Sequence, residues 1–154
     1  MIYYGNFSLC TNHKGFLMSN ITPMNKEYIY DKNVLISQTD LKGTIIYANK
    51  MFCEVSGYKA EELKGQSHSI IRHPDMPKAI FTKMWKTISS GQVWNGLVKN
   101  LRKDAQFYWV ELEILPIYNE ADEINGYMAA SKPASRKNIL EIQENYNKML
   151  ELEV

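Results

Sequence analysis

An arginine, a histidine and an aspartate crowd into one short stretch, Arg72-His73-Pro74-Asp75, with Met76 and Pro77 following at once. Arg72 can fork onto an anionic oxygen pair, and His73 can donate beside it, so the two suit a phosphate or pyrophosphate. Asp75 would repel such a group. It is expected instead to cap the helix that follows, to orient Arg72 or His73, or to hold a sugar hydroxyl. A second histidine, His68, lies just upstream and reads equally as a contact beside a ligand ring or as a surface loop residue. Asn100 falls in the middle of an apolar strand, where a buried amide is costly unless something bonds it. Its partner would be neighbouring backbone or the polar edge of a flat ligand. Trp85, Trp94, Val98 and Tyr108 could supply an apolar slot for such a ligand. On their own, these residues also have plain structural readings. A Trp on an amphipathic helix is ordinarily core, and a His before Pro is ordinarily solvated.

The elements that must position these residues follow from periodicity. Val34 to Asp40 and Thr44 to Ala48 read as two strands joined through Leu41-Lys42-Gly43, with Gly43 as the residue of positive φ. Asn49 caps a short helix over Lys50 to Ser56, and Gly57 ends it. Tyr58 to Leu63 forms a second helical turn, ended by Gly65. Gln66 to Asp75 is loop. From Pro77 to Ser90 the residues Ile80, Phe81, Met84, Trp85 and Ile88 make one apolar stripe of a helix. Val93 to Arg102 and Gln106 to Pro116 are two long strands. Alternation puts Trp94, Gly96, Val98 and Asn100 on one face of the first. In the second, Tyr108, Val110, Leu112 and Ile114 oppose Phe107, Trp109, Glu111 and Glu113. Ala105 stands in the tight turn where glycine would be usual, which implies another turn type or mild strain. Ile124 to Lys132 is a fifth strand, stopped by Pro133. Ser135 to Val154 is helical, with Ile139, Ile142, Tyr146, Met149 and Leu150 as a stripe expected to dock on an oligomer mate or partner.

Length and composition bound the rest. At 154 residues with a net charge of +1, the chain reads as one domain with short extensions: a lead-in over 1–33, a sensor domain over 34–133 and a C-terminal helix over 134–154. The charge gives no electrostatic case for nucleic acid or an anionic membrane. No apolar run approaches the roughly 20 residues of a membrane span, and no secretion signal is visible. Cys10 and Cys53 lack CxxC spacing and suit a reduced, cytoplasmic protein. Ten Tyr and three Trp imply either a large aromatic core or a pocket for a flat ligand. Met1 to Leu17 is unpatterned, while Lys14-Gly15 requires a purine-rich codon pair upstream of Met18. Met18 is therefore a candidate start, which peptides from residues 1–17 in native protein would refute. Asn25 to Asn33 is a short helix or a capping arm.

Two strands, several short helices and three strands resemble the PAS arrangement, an α+β fold with a five-stranded antiparallel sheet and helices over one face. Ile46-Tyr47-Ala48-Asn49-Lys50-Met51-Phe52 with Val55-Ser56-Gly57-Tyr58 is similar to a common PAS signature. A narrower set comprises Arg72 to Ala79 with Met84-Trp85, Trp94 to Asn100, and Tyr108-Trp109-Val110. It resembles the FAD-binding PAS domain of bacterial aerotaxis receptors over about Leu35 to Ser131. That resemblance implies that Arg72, His73 and Asp75 are needed for FAD binding and that Asn49, Trp85 and Tyr108 support the pocket. It implies a non-catalytic redox sensor for energy taxis. The chain ends soon after the sheet, so it looks like the PAS-only half of a bipartite system. Its partner would be a membrane-bound, chemoreceptor-like signalling protein that recruits it to the inner membrane, with a homodimer also compatible. Haem is the alternative cofactor, with His68 or His73 as axial ligand. FMN is a second alternative, since a phosphate mouth serves it as well as FAD, and a cofactor-free interaction module is a third reading. A blue-light cysteinyl-flavin sensor is disfavoured, because Cys53 lies outside the Asn-Cys-Arg context such sensors use. No nucleophile–base set, metal cluster, P-loop or GxGxxG is visible, which argues against an enzyme.

Overall fold

The computed structural model describes residues 21–153. The Met18 start and the leader therefore lie outside the described residues. The elements are β1 (Leu35–Thr39), β2 (Ile45–Ala48), α1 (Lys50–Ser56), α2 (Ala60–Leu63), a 3-10 turn at His68–Ile71, α3 (Lys78–Ser89), β3 (Trp94–Leu101), β4 (Phe107–Tyr118), β5 (Ile124–Pro133) and α4 (Arg136–Leu152). The five strands form one antiparallel sheet in the order β2-β1-β5-β4-β3. The first and last strands in sequence are therefore central neighbours, while β3 is an edge.

Local sequence explains most boundaries. The Asn49 side chain accepts from the Phe52 amide at 2.9 Å and so caps α1, and Gly57 closes that helix at φ 80°. Gly43 turns the β1–β2 hairpin at φ 82°. Ala105 adopts φ 75° in the β3–β4 turn, a left-handed conformation that costs a non-glycine residue on the order of 1–2 kcal/mol. The Asp104 carboxylate supports the turn by accepting from the Gln106 amide at 3.1 Å and from the Arg102 guanidinium.

Register separates the sheet into two faces. Trp94, Val98 and Asn100 of β3 sit beside Ile114, Val110 and Tyr108 of β4. Ser131 and Ala129 of β5, and Leu35 and Ser37 of β1, continue that inner face under the helices. Phe107, Trp109 and Glu111 point to the outer face, as alternation predicts.

Three placements differ from expectation, and a fourth decides between two forms. The loop before α3 contains a 3-10 turn, with Ser67 accepting from the Ser69 amide at 3.3 Å. Asp75 does not cap α3. Its carboxylate bonds the Lys99 ammonium at 2.9 Å, and the first turn of α3 is met by Glu153, which accepts from the Ala79 amide at 3.2 Å. Helix α4 does not project from the sheet. It lies on the outer face of its own sheet, with Ile139 and Tyr146 buried. Of the two forms expected for the segment before β1, the structure has the arm, in extended conformation. Met24 donates to the Ala105 carbonyl at 2.9 Å and Tyr28 to that of Phe107 at 2.7 Å, which extends the sheet beside β4.

Candidate functional site

The inner face is apolar in outline and polar at chosen points. Val98, Val110 and Leu35 are buried across its centre. Among them lie Ser37, Ser131, Asn100 and the Tyr108 phenol. Tyr108 is 0% exposed, and its hydroxyl makes no hydrogen bond of ordinary geometry. Burial raises its pKa and the neighbouring Tyr30 adds to this, while the Arg102 charge and the Asn100 side chain draw it partly back. The phenol therefore remains protonated and is an O–H donor. Asn100 is buried beside it, and its backbone forms a bridge with Arg72. That bridge brings the charged loop against the edge strand.

His68 is half-buried, with its ring turned inward. Its Nε2 lies 3.0 Å from the Ser37 hydroxyl, and its ring stands edge-on to Phe52 at 5.8 Å. Burial pushes its pKa down to about 4, and the Arg72 charge adds to this, so it is neutral near neutral pH.

The three residues of the charged loop diverge. Arg72 lays its guanidinium over the Phe81 ring, 3.8 Å from the centroid, on the α3 side. His73 turns the other way. It is 3% exposed, stands edge-on to Phe107 at 6.1 Å, and accepts from the Asp75 amide through Nδ1 at 3.0 Å. Burial, reinforced by Lys99, lowers its pKa to about 4 against the opposing pull of Asp75. A neutral ring packed on an outer-face aromatic does not form the exposed phosphate mouth expected from the sequence. Lys99 also approaches Phe107, at 4.4 Å from its centroid. His73 and Asp75 thus clamp the loop to the edge of β3, while Arg72 lies on the α3 side.

The expected aromatic slot is drawn out along the sheet. Trp85 packs against Gly43 and edge-on to Tyr127 at 5.7 Å. Tyr127 pairs with Pro116, so at strand rise it lies about 26 Å along β4 from Tyr108. Trp85 therefore does not face Tyr108. Trp94, paired with Ile114, belongs to the Trp85 end, and its indole lies over Gly96 where a Cβ would stand only 2.4 Å from it. Asn49 is committed to scaffold: beyond capping α1, it accepts from the Ile36 amide at 3.2 Å and donates to the Val34 carbonyl at 3.0 Å.

Sequence reasoning missed Ser37, Ser131, Arg102 and Tyr30. Arg102 donates to the Glu54 carbonyl at 3.2 Å and to that of Val55, capping the C-terminus of α1. Alternation along β1 and β5 would have turned the two serines inward. No comparable signal was visible for Tyr30, which lies in the unpatterned arm.

A family model described as PAS fold matches residues 45–129. The aerotaxis receptor of Escherichia coli (strain K12) is 44% identical over 116 residues, covering 75% of this chain and 23% of the receptor. The nitrogen fixation regulatory protein of Klebsiella oxytoca is 35% identical over 109 residues, 71% of this chain and 22% of that protein. The chain thus spans less than a quarter of the length of these curated relatives. The crystal structure of the PAS domain of a protein from Colwellia psychrerythraea superposes with a TM-score of 0.62 at 27% identity, over 67% of this chain and 87% of the other. Among the described residues, no helix is long and apolar enough to cross a membrane.

Proposed function

The chain belongs to the PAS fold family, and from that membership we propose that it is a sensor that holds FAD non-covalently on the inner face and relays the flavin's redox state to a signalling partner. The observation that carries this reading is the Tyr108 hydroxyl, fully buried beside Asn100 and without a hydrogen bond. A buried polar atom of that kind costs free energy unless something meets it. The polar edge of a flat ring lying on Val98 and Val110 would meet it. The narrow likeness of Arg72 to Ala79 and Trp94 to Asn100 to aerotaxis-receptor sequences supports a flavin as that ring, and FAD in particular.

Bound flavin would supply reversible electron transfer. The protein's residues bind and orient. Tyr108 donates, and the Asn100 amide can donate or accept as the ring's edge changes character. Arg72 would meet the phosphates through its guanidinium. The output route starts at the same strand. Asn100 and Leu97 both lie on β3, and the Leu97 carbonyl accepts from the Tyr146 hydroxyl of α4 at 2.7 Å. A change in packing at Asn100 therefore has a short mechanical path to α4, and from there to a membrane-bound, chemoreceptor-like protein that would recruit this cytoplasmic sensor. No residue is assigned a catalytic role.

The test is a reductive titration of the flavin-loaded protein. Dithionite should bleach the flavin and air restore it. Asn100→Asp should shift the midpoint potential while leaving circular dichroism unchanged. An unchanged potential removes Asn100 from the mechanism.

A further inference from the structure

The N-terminal arm delivers a second buried phenol to the same place. Its pairing with β4 is strand-like: Glu27 bridges Phe107 in parallel, and the Phe107 amide donates to the Lys26 carbonyl at 3.0 Å. Alternation then turns Tyr28 and Tyr30 to one side. The Tyr28 ring lies under the Arg102 guanidinium at 3.8 Å, and the Tyr30 ring stands edge-on to Tyr108 with centroids 6.3 Å apart. The Tyr30 hydroxyl is buried without a hydrogen bond, as is that of Tyr108. Both phenols are kept protonated by burial. If the arm were only an apolar cover, Phe would pack the same ring contact and leave no polar atom stranded. Tyr146, by contrast, is a buried tyrosine whose hydroxyl bonds a carbonyl within the chain.

We propose that the Tyr30 and Tyr108 hydroxyls form a donor pair for the polar edge of the bound flavin, which makes the N-terminal arm a wall of the ligand site. The proposal rests on the flavin reading above. Two donors aimed at the ring favour its electron-rich, reduced form, so the pair raises the midpoint potential. The arm and the flavin also stabilise each other, because coupling between two binding events is reciprocal.

The variants Tyr30→Phe and Tyr108→Phe test this through flavin titration, reductive titration and urea unfolding, the last with and without saturating FAD. Each single variant should raise the flavin Kd about tenfold, a loss of about 1.4 kcal/mol. Each should also lower the midpoint potential. Without flavin, each should unfold at the same or a higher urea concentration than the parent. With flavin, each should unfold at a lower one. An unchanged Kd in both variants overturns the donor pair while leaving the flavin site standing. Equal destabilisation with and without flavin also overturns it, because the hydroxyls would then be bonded within the protein or to a buried water. A parent protein that takes up no flavin defeats the functional reading itself, and the donor pair with it.

Discussion

On the outer face of the sheet, Trp109 stacks on Tyr146 with centroids 6.4 Å apart, and the Tyr146 hydroxyl donates to Leu97. Asn138 of α4 donates to Glu111 at 3.0 Å, and Lys132 pairs with the same carboxylate at 3.2 Å. Every one of these polar groups has found a partner in the chain itself. On the inner face, Tyr108 and Tyr30 bring equally large aromatic rings together, yet their hydroxyls make no hydrogen bond of ordinary geometry. Both faces bury tyrosine, and both lie under helices or an arm. They differ in whether the polar atoms are closed off. A satisfied face is a folding contact, whereas an unsatisfied one has bonding capacity left for something outside the chain.

The comparison can be broken most forcefully at Trp109. Trp109→Ala should cost about 3–5 kcal/mol, the range for a large aromatic removed from a core, and should free α4 for proteolysis. Urea unfolding and limited digestion measure both, and a loss below about 1 kcal/mol would mean that α4 is not packed on the sheet. The next effect is one of pH and touches both faces, through His68 within and His73 without. Their folded pKa values sit near 4 against an ordinary value of 6.5. Between those limits the unfolded chain binds the protons that the folded chain refuses. Stability is therefore complete above the ordinary value and falls as pH drops toward 4. His68→Asn and His73→Asn should each flatten part of that slope, read from urea midpoints across the window. A flat profile in the parent would contradict the burial of both rings. The smallest effect sharpens the comparison most: Tyr146→Phe should cost about 1 kcal/mol by losing a made bond, where Tyr108→Phe without flavin should cost nothing. Equal losses in the two would erase the distinction between the faces.

Much of this arrangement was legible in the sequence, because period and punctuation carried it. Alternation assigned the faces of β3 and β4, and Asn49 and Gly57 marked both ends of α1. What escaped was set by contacts distant along the chain. The stripe from Ile139 to Leu150 announced a buried face but not its mate, which is the chain's own Trp109. The cap of α3 comes from Glu153, seventy-four residues after Ala79, so the nearer Asp75 was the natural but incorrect choice. In the Arg72–Asp75 loop no period exists to say which way a side chain turns. Composition suggested a phosphate mouth, whereas the bridge to Asn100 sends Arg72 and His73 to opposite sides. Tyr30 lies in an arm whose strand character depends on the edge of β4 that it joins.

The most direct test of the inner face as a flavin site is the visible absorbance spectrum of freshly purified protein, followed by acid release and chromatography of the chromophore. A flavin spectrum and released FAD are expected. A Soret band would move the assignment to haem. A colourless protein that also refuses added flavin would refute a flavin site on the inner face and leave Tyr108 and Tyr30 without the partner assigned to them.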